Sequence, residues 1–163
     1  MQLSEQGATL IKGFEKCRLD AYQDSAGVWT IGWGNTSYEN GTRVKASDRL
    51  SQHRADELFK RIAQRFVNDV AYLTKGTPLK QQQFDALVSF AYNVGSDIDL
   101  DDIAEGLGDS TLLKLIMGNP DDSKIPAEFL KWDKSKGKIL AGLTRRRKAE
   151  ALLYITGDLN FFE

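Results

Sequence analysis

At 163 residues, with 41% hydrophobic and 28% charged side chains, the chain can bury one good core and has the composition of an ordinary soluble protein. A formal net charge of -1 leaves no global field to draw nucleic acid or an acidic membrane, so any attraction to an anionic polymer is local. One cysteine excludes an internal disulfide, and one histidine without a Cys/His cluster argues against a zinc site.

The start, Met-Gln-Leu-Ser-Glu-Gln, lacks the basic region and apolar run of a signal peptide, and no window approaches the length of a membrane span. Cytoplasmic synthesis without stable membrane association is expected. Leu3, Ala8, Ile11 and Phe14 follow the 3.6-residue period with Ser4 as N-cap, predicting a helix that ends near Glu15. Leu19, Ala21 and Gln23 then alternate with Asp20, Tyr22 and Asp24 ahead of Ser25-Ala26-Gly27, and Val28 to Trp33 is rich in β-branched and aromatic residues. This reads as a β-hairpin placed directly after a helix.

Glu15 is thus expected among apolar residues at the helix end, with Asp24 and Thr30 on the hairpin facing it across a groove. Burial disfavours a charged carboxyl, whereas a hydrated hairpin leaves one ionised, so an acid and a base can coexist at neutral pH. Glycoside hydrolysis needs that pair, and the Thr30 hydroxyl can help hold a water. Taken singly, each residue has a plain structural reading: a Glu near a helix end, an Asp before a turn, a Thr in a strand. Cys17 reads as a spare buried thiol and not a nucleophile, because His53 lies in a separate helical segment.

Residues 34–42 are turn-rich, with Val44 and Leu50 as isolated anchors, suggesting a small lobe over about 15–50. From Ser51, apolar residues at three- and four-residue steps predict one amphipathic helix over about 52–73, with His53 exposed in its first turn. It would bridge the small lobe to a helical one over about 78–163, joined by the N-terminal helix, all in a single domain. Pro78 is expected to open the next helix, which runs to Asn93-Val94-Gly95. Asp97, Asp99, Asp101, Asp102, Glu105 and Asp109 then crowd a segment that lacks the twelve-residue calcium-loop pattern and reads as a solvated charged loop. Ser110 starts a short helix that stops at Gly118, Ile125 to Trp132 gives another, and Thr144 to Glu150 leads into a last one. Basic residues 145–148 at a helix start sit badly against its dipole, so they face an acidic neighbour, do a job, or form a solvated basic turn.

The ordered set Glu15, Arg18-Leu19, Tyr22, Asp24, Gly27, Thr30-Ile31-Gly32 and Gly34 resembles the catalytic signature of the phage-type lysozymes, the muramidase endolysins of glycoside hydrolase family 24. Residues 83–95 and 144–150 are similar to the family's second signature and closing helix. The resemblance implies a mainly helical α+β, lysozyme-like fold, with a small β-hairpin lobe joined by a long helix to a helical lobe. It also implies a monomer, without metal or cofactor and without nucleic acid, acting on the peptidoglycan glycan strand.

The residue roles it implies are Glu15 as general acid, Asp24 as the carboxylate that directs water and Thr30 as its helper. Thr36, Tyr92 and Asn93 become substrate contacts, and Arg146 the cation that reaches and tunes Glu15. The implied reaction is inverting hydrolysis of the β-1,4 bond between N-acetylmuramic acid and N-acetylglucosamine, which calls for carboxyls about 6.5–9.5 Å apart. A holin would release the enzyme from the host cytoplasm to the wall, causing lysis. A lytic transglycosylase on the same scaffold and a non-catalytic wall-binding module are the rivals, and Asp24 favours hydrolysis over the first. Asn35 stands where many relatives carry His, which bears on lobe stability and pH dependence more than on chemistry.

Overall fold

Ser4 starts the first helix: its Oγ accepts the backbone N–H of Gly7 at 3.2 Å, satisfying one of the donors that a helix start leaves open. The computed structural model describes all 163 residues. Its elements are α1 (Glu5–Glu15), β1 (Arg18–Gln23), β2 (Trp29–Gly32), α2 (Gln52–Leu73), α3 (Gln81–Val94), α4 (Thr111–Gly118), α5 (Ile125–Leu130), β3 (Lys134–Ser135), β4 (Lys138–Ile139) and α6 (Ala141–Thr156). This is the mainly helical α+β architecture expected from the sequence. The chain divides into two compact units, Lys12–Arg65 and a second formed by Met1–Ile11 with Phe66–Glu163. No helix is long and apolar enough to cross a membrane.

The second unit is built around α3. Gln83 to Ala91 are all buried, a helix enclosed on every side, which places it at the centre of its neighbours. Phe90 meets Phe129 and Trp132 edge to face, with ring centroids 5.6 and 5.5 Å apart, and Phe129 meets Tyr154 at 5.7 Å. The start of α1 is tied to the same helix through Asp85, which is fully buried and accepts the Ser4 backbone N–H at 3.0 Å, the Ser4 hydroxyl, and Gln81 Nε2 at 2.9 Å. Gly7 makes the approach possible, since a Cβ there would lie 2.8 Å from the Asp85 Cβ.

Several expectations need correction. α3 opens at Gln81 and not at Pro78, because the Gln83 side chain turns back to accept the Lys80 N–H at 2.9 Å and fixes the start there. α5 ends at Leu130, before Trp132. A second hairpin, β3–β4, follows where no strand was expected; its lysine-rich sequence has little strand propensity, and a left-handed pair, Lys136 and Gly137, makes the turn.

The acidic segment is exposed from Ile98 to Glu105, as expected of a solvated loop, but its two ends are folded together. Asp97 Oδ2 accepts the backbone N–H groups of Glu105 (3.0 Å), Gly106 (3.1 Å) and Asp109 (3.4 Å), and Gly106 to Ser110 are buried. A Cβ at Gly108 would fall 1.5 Å from the Asp97 carbonyl oxygen, so only glycine allows this close approach. Carboxylate oxygens of Asp97, Asp99 and Asp109 come within 4.8 Å of one another here.

The basic run lies within α6 and not at its start, because the helix already begins at Ala141. Arg145 and Lys148 face outward, while Arg146 and Arg147 are 4% and 0% exposed, which rules out a solvated basic turn for that pair. Their acidic neighbour is Glu150, itself fully buried. Arg146 Nε reaches Glu150 Oε1 at 3.2 Å, Arg147 Nε reaches Oε2 at 2.8 Å, and the Ser89 hydroxyl donates to Oε1 at 2.7 Å. Removing one member of a buried ion pair leaves the others charged and dry. Glu150→Ala should therefore lower the unfolding free energy by about 3–5 kcal/mol in chemical denaturation, far more than a surface Glu→Ala control.

Candidate functional site

The first hairpin supplies two of the three chemical residues expected from the sequence. β1 and β2 run antiparallel with Arg18 opposite Gly32, Tyr22 opposite Thr30 and Gln23 opposite Trp29, and a bulge lies between Arg18 and Tyr22. Its turn is organised by Asp24. The backbone N–H of Asp24 donates to the Val28 carbonyl at 2.9 Å, and Asp24 Oδ1 accepts the N–H groups of Ala26 at 2.8 Å and Val28 at 2.9 Å. With Oδ1 so occupied the carboxylate cannot rotate, and Oδ2 is left to meet something other than the turn. Thr30 is buried, and its hydroxyl donates to the Val28 carbonyl at 2.9 Å. That commitment uses its only hydrogen and leaves its lone pairs as acceptors.

Glu15 is the last residue of α1, half-buried, and Lys16 after it turns left-handed at φ 55°. The chain returns to Glu15 at Gly34. A Cβ there would lie 2.2 Å from Glu15 Oε2 and 2.9 Å from its Cδ, and φ at Gly34 is 80°. Glycine suits this backbone, and any Cβ there would push the Glu15 carboxylate aside. Asn35 closes the turn: its backbone exchanges hydrogen bonds with Ile31 at 2.8 and 2.9 Å, and its Oδ1 accepts the Trp33 N–H at 3.3 Å. Asn35 is buried, so at this position it serves the turn through its amide.

Tyr22 links the two carboxyls electrostatically. Burial is the main reason its phenol titrates above the ordinary range; the charge of Glu15 raises it further, Arg18 works against this, and Asp24 adds to the rise. The Arg18 guanidinium lies 4.2 Å from the ring centroid, in cation–π contact. Both carboxylates therefore act on one side chain within a single unit.

The surroundings hold this hairpin in place. Trp33 Nε1 donates to Asp56 Oδ1 at 2.8 Å, Gln52 Nε2 donates to the same oxygen at 3.2 Å, and Lys12 Nζ is 3.6 Å away. The Trp33 bond is the main reason the Asp56 carboxyl stays below its usual range. Lys12 Nζ also sits 4.9 Å from the ring centroids of both Trp33 and Phe59. Cys17 is half-buried with Gln52 at 3.6 Å, and burial pushes its thiol up, the opposite of what an activated nucleophile needs. His53 is exposed, as expected, 3.4 Å from Glu57. Ser51 Oγ accepts the Arg54 N–H at 3.1 Å and starts α2. Arg54 forms a two-pronged pair with Glu39 at 2.7 Å on each arm, and Arg65 donates to the Glu39 carbonyl, fastening the turn-rich segment.

The remaining predicted residues are distributed as follows. Thr36 is exposed, in the same unit as Glu15, Asp24 and Thr30. Tyr92, Asn93 and Arg146 belong to the second unit. Tyr92 packs on Phe66 with centroids 5.3 Å apart, and Asn93 is exposed, with its Oδ1 accepting from Arg147 at 2.8 Å. The C-cap of α3 is Gly95 and not Asn93. Arg146 donates to Glu150 and, at 3.3 Å, to the Ser89 carbonyl. Asp56 and Glu150 were given no role from sequence. The Trp33 partner of Asp56 is distant in the chain; Glu150 has its arginines three and four residues before it, a spacing visible in the sequence, but not the burial that makes the group matter.

A family model described as Phage lysozyme matches residues 12–150. The chain belongs to the phage lysozyme family. Among its relatives, the endolysin of Bacillus phage B103 is 40% identical over 161 residues, which cover 97% of this chain but 56% of that protein. The chain thus spans little more than half of that relative's length. The endolysin of Salmonella phage P22 is 34% identical over 96% of this chain and 99% of its own. Among solved structures, the endolysin from Escherichia coli O157:H7 phage FAHEc1 has a TM-score of 0.84 at 34% identity, covering 98% of this chain and 97% of its own. The muramidase domain of SpmX from Asticaccaulis excentricus has a TM-score of 0.76 at 32% identity, covering 95% and 98%.

Gly34→Ala should displace the Glu15 carboxylate and lower the rate of cell-wall clearance by roughly a hundredfold. Gly41→Ala is the control: φ there is 84°, but nothing lies within 4 Å of the added Cβ, so it shares the backbone cost and should keep the rate. Arg54 holds Glu39 down at about 2, against an ordinary value of 4.5. The pair therefore stabilises the fold fully above the ordinary value and loses its effect as pH falls through about 2. Because both side chains are partly exposed, Glu39→Gln should cost about 1 kcal/mol or less at neutral pH. In urea titrations the gap from the unaltered protein should close on acidification.

Proposed function

We propose that this phage lysozyme is a single-domain endolysin that hydrolyses the β-1,4 bond between N-acetylmuramic acid and N-acetylglucosamine in peptidoglycan, with inversion at the anomeric carbon. The observation that carries the reading is the division of labour at the hairpin turn: one oxygen of Asp24 is bound by two backbone N–H groups, and the Thr30 hydroxyl on the following strand has its hydrogen committed to the Val28 carbonyl and can only accept. A water between them would donate one hydrogen to Asp24 Oδ2 and the other to Thr30 Oγ1. Its lone pair is then directed away from the protein, towards a sugar.

In this mechanism Glu15 is the general acid and gives its proton to the leaving glycosidic oxygen as the C–O bond breaks. The water attacks the anomeric carbon from the opposite face, and its proton passes to Asp24. Exchange with solvent restores both groups. The glycine at 34 leaves room for the Glu15 carboxyl, and Tyr22 feels the charge of both carboxylates. Family resemblance adds Thr36, Tyr92 and Asn93 as glycan contacts and Arg146 as the cation that tunes Glu15. It also supports a monomer that reaches the wall once a holin has opened the way.

Turbidity clearing of outer-membrane-permeabilised Gram-negative cells tests the assignment. Glu15→Gln and Asp24→Asn should each slow clearing by roughly 10²–10⁴-fold without loss of fold. Mass spectrometry of the digest should find reducing muramic ends; anhydromuramic ends would replace hydrolysis with transglycosylation. NMR of fresh product should show the α-anomer first, and β-anomer first would overturn inversion.

A further inference from the structure

The two hairpin residues of the hydrolytic reading present acceptors. Asp24 is a carboxylate with Oδ1 already taken, and the Thr30 hydroxyl has given its hydrogen to the Val28 carbonyl. A glycan strand carries hydroxyls, which donate and accept, and acetamido carbonyls, which only accept. Its acceptor oxygens call for donors that neither residue supplies.

Tyr22 is placed to supply one. It lies directly opposite Thr30 in the hairpin register, so the two side chains share a face with Cβ atoms about 5 Å apart. Asp24 is two residues further along, and the bond from its N–H to the Val28 carbonyl carries the pairing that far, so strand alternation directs Asp24 to the same face. The Tyr22 side chain is half-buried, yet its hydroxyl makes no hydrogen bond within the protein. Burial and the charge of Glu15 hold the phenol above its ordinary value of 10, with Arg18 opposing and Asp24 adding to the rise. At neutral pH it is therefore a protonated donor.

Arg18 steadies the ring. Its guanidinium lies 4.2 Å from the Tyr22 ring centroid, and although exposed it makes no ion pair or hydrogen bond. A cation over the face restrains an aromatic ring and leaves the hydroxyl at its edge unused.

We propose that Tyr22 binds substrate: its hydroxyl donates a hydrogen bond to an acceptor oxygen of the muramic residue whose anomeric carbon is attacked, and Arg18 is the positioning residue that holds the ring for it. This rests on the hydrolytic reading, in which Thr30 holds the attacking water; the residue beside Thr30 on the same face then meets the sugar that the water attacks. An aromatic residue that only packed would have no use for its hydroxyl here.

Tyr22→Phe keeps the ring and its stack and removes the hydroxyl alone. On solubilised glycan strands it should lower kcat/KM about tenfold, as expected when one hydrogen bond is lost and its acceptor is left unpaired. In a Glu15→Gln chain it should weaken co-sedimentation with insoluble peptidoglycan by a similar factor. The thermal midpoint should stay where it is, because the hydroxyl has no partner in the fold. Arg18→Gln should lower kcat/KM about two- to fivefold, and Arg18→Lys should recover part of that loss. In the Tyr22→Phe chain Arg18→Gln should add little, because the cation acts through the phenol. Unaltered kcat/KM and unaltered sedimentation of Tyr22→Phe would overturn the proposal, and an Arg18→Gln loss undiminished in the Tyr22→Phe chain would overturn the positioning role. If Glu15→Gln cleared walls as fast as the unaltered chain the hydrolytic reading would fall, while sedimentation of Tyr22→Phe against the unaltered chain would still decide whether Tyr22 binds glycan.

Discussion

A side chain at position 34 and the carboxylate of Glu15 would have to occupy the same space, and the chemistry proposed for this protein depends on that exclusion. Because residue 34 is glycine, the segment after β2 can turn left-handed and lie against the end of α1 while the carboxylate keeps its position. Lys16 ends the helix just past Glu15, so the acid stands at a fixed terminus. On the hairpin the constraint is a pair of backbone N–H groups on one oxygen of Asp24. The Asp24 carboxyl is thus held by backbone, and a group held in advance needs no reorganisation at the moment of reaction.

The second unit solves a different problem. Its central helix is buried on every side, yet its contacts with α6 include a fully buried carboxylate, Glu150, and two arginines. Such charges are costly to dehydrate, and here they are engaged through one oxygen: Glu150 Oε1 accepts from both guanidiniums and a hydroxyl, and Arg147 is also met by Asn93 and by the face of Phe90 at 5.0 Å, while Glu150 Oε2 is close to Arg147 Nε without a hydrogen bond. Directional bonds of this kind set the register of two helices more narrowly than apolar packing would. Asp85 does the same for the start of α1, where Gly7 permits contact distance.

Segments whose structure follows from neighbours in sequence could be read directly. Ser4 and Ser51 cap their helices, the apolar steps of α2 run over Gln52–Leu73, and the Asp24–Gly27 turn makes its hairpin. Segments shaped by side chain to backbone bonds could not. The start of α3 depends on Gln83 reaching back to residue 80, and the acidic loop depends on Asp97 gathering three N–H groups from residues eight to twelve positions on. β3–β4 escaped notice because a two-residue left-handed turn, and no strand-forming sequence, makes it.

For the site, spacing placed Glu15 at a helix end, Asp24 before a turn and Thr30 in a strand, but it was the resemblance to a family signature that singled the three out as a set. Burial was legible in neither. Whether four consecutive basic residues face water or a carboxylate is decided by which side of α6 packs against its neighbours, and there Arg146 and Arg147 turn inward to Glu150 while Arg145 and Lys148 stay out. The order of residues determined which groups can bond along the chain. Only the packed structure decided which charges lose their water, because desolvation depends on what closes over a side chain from elsewhere in the sequence.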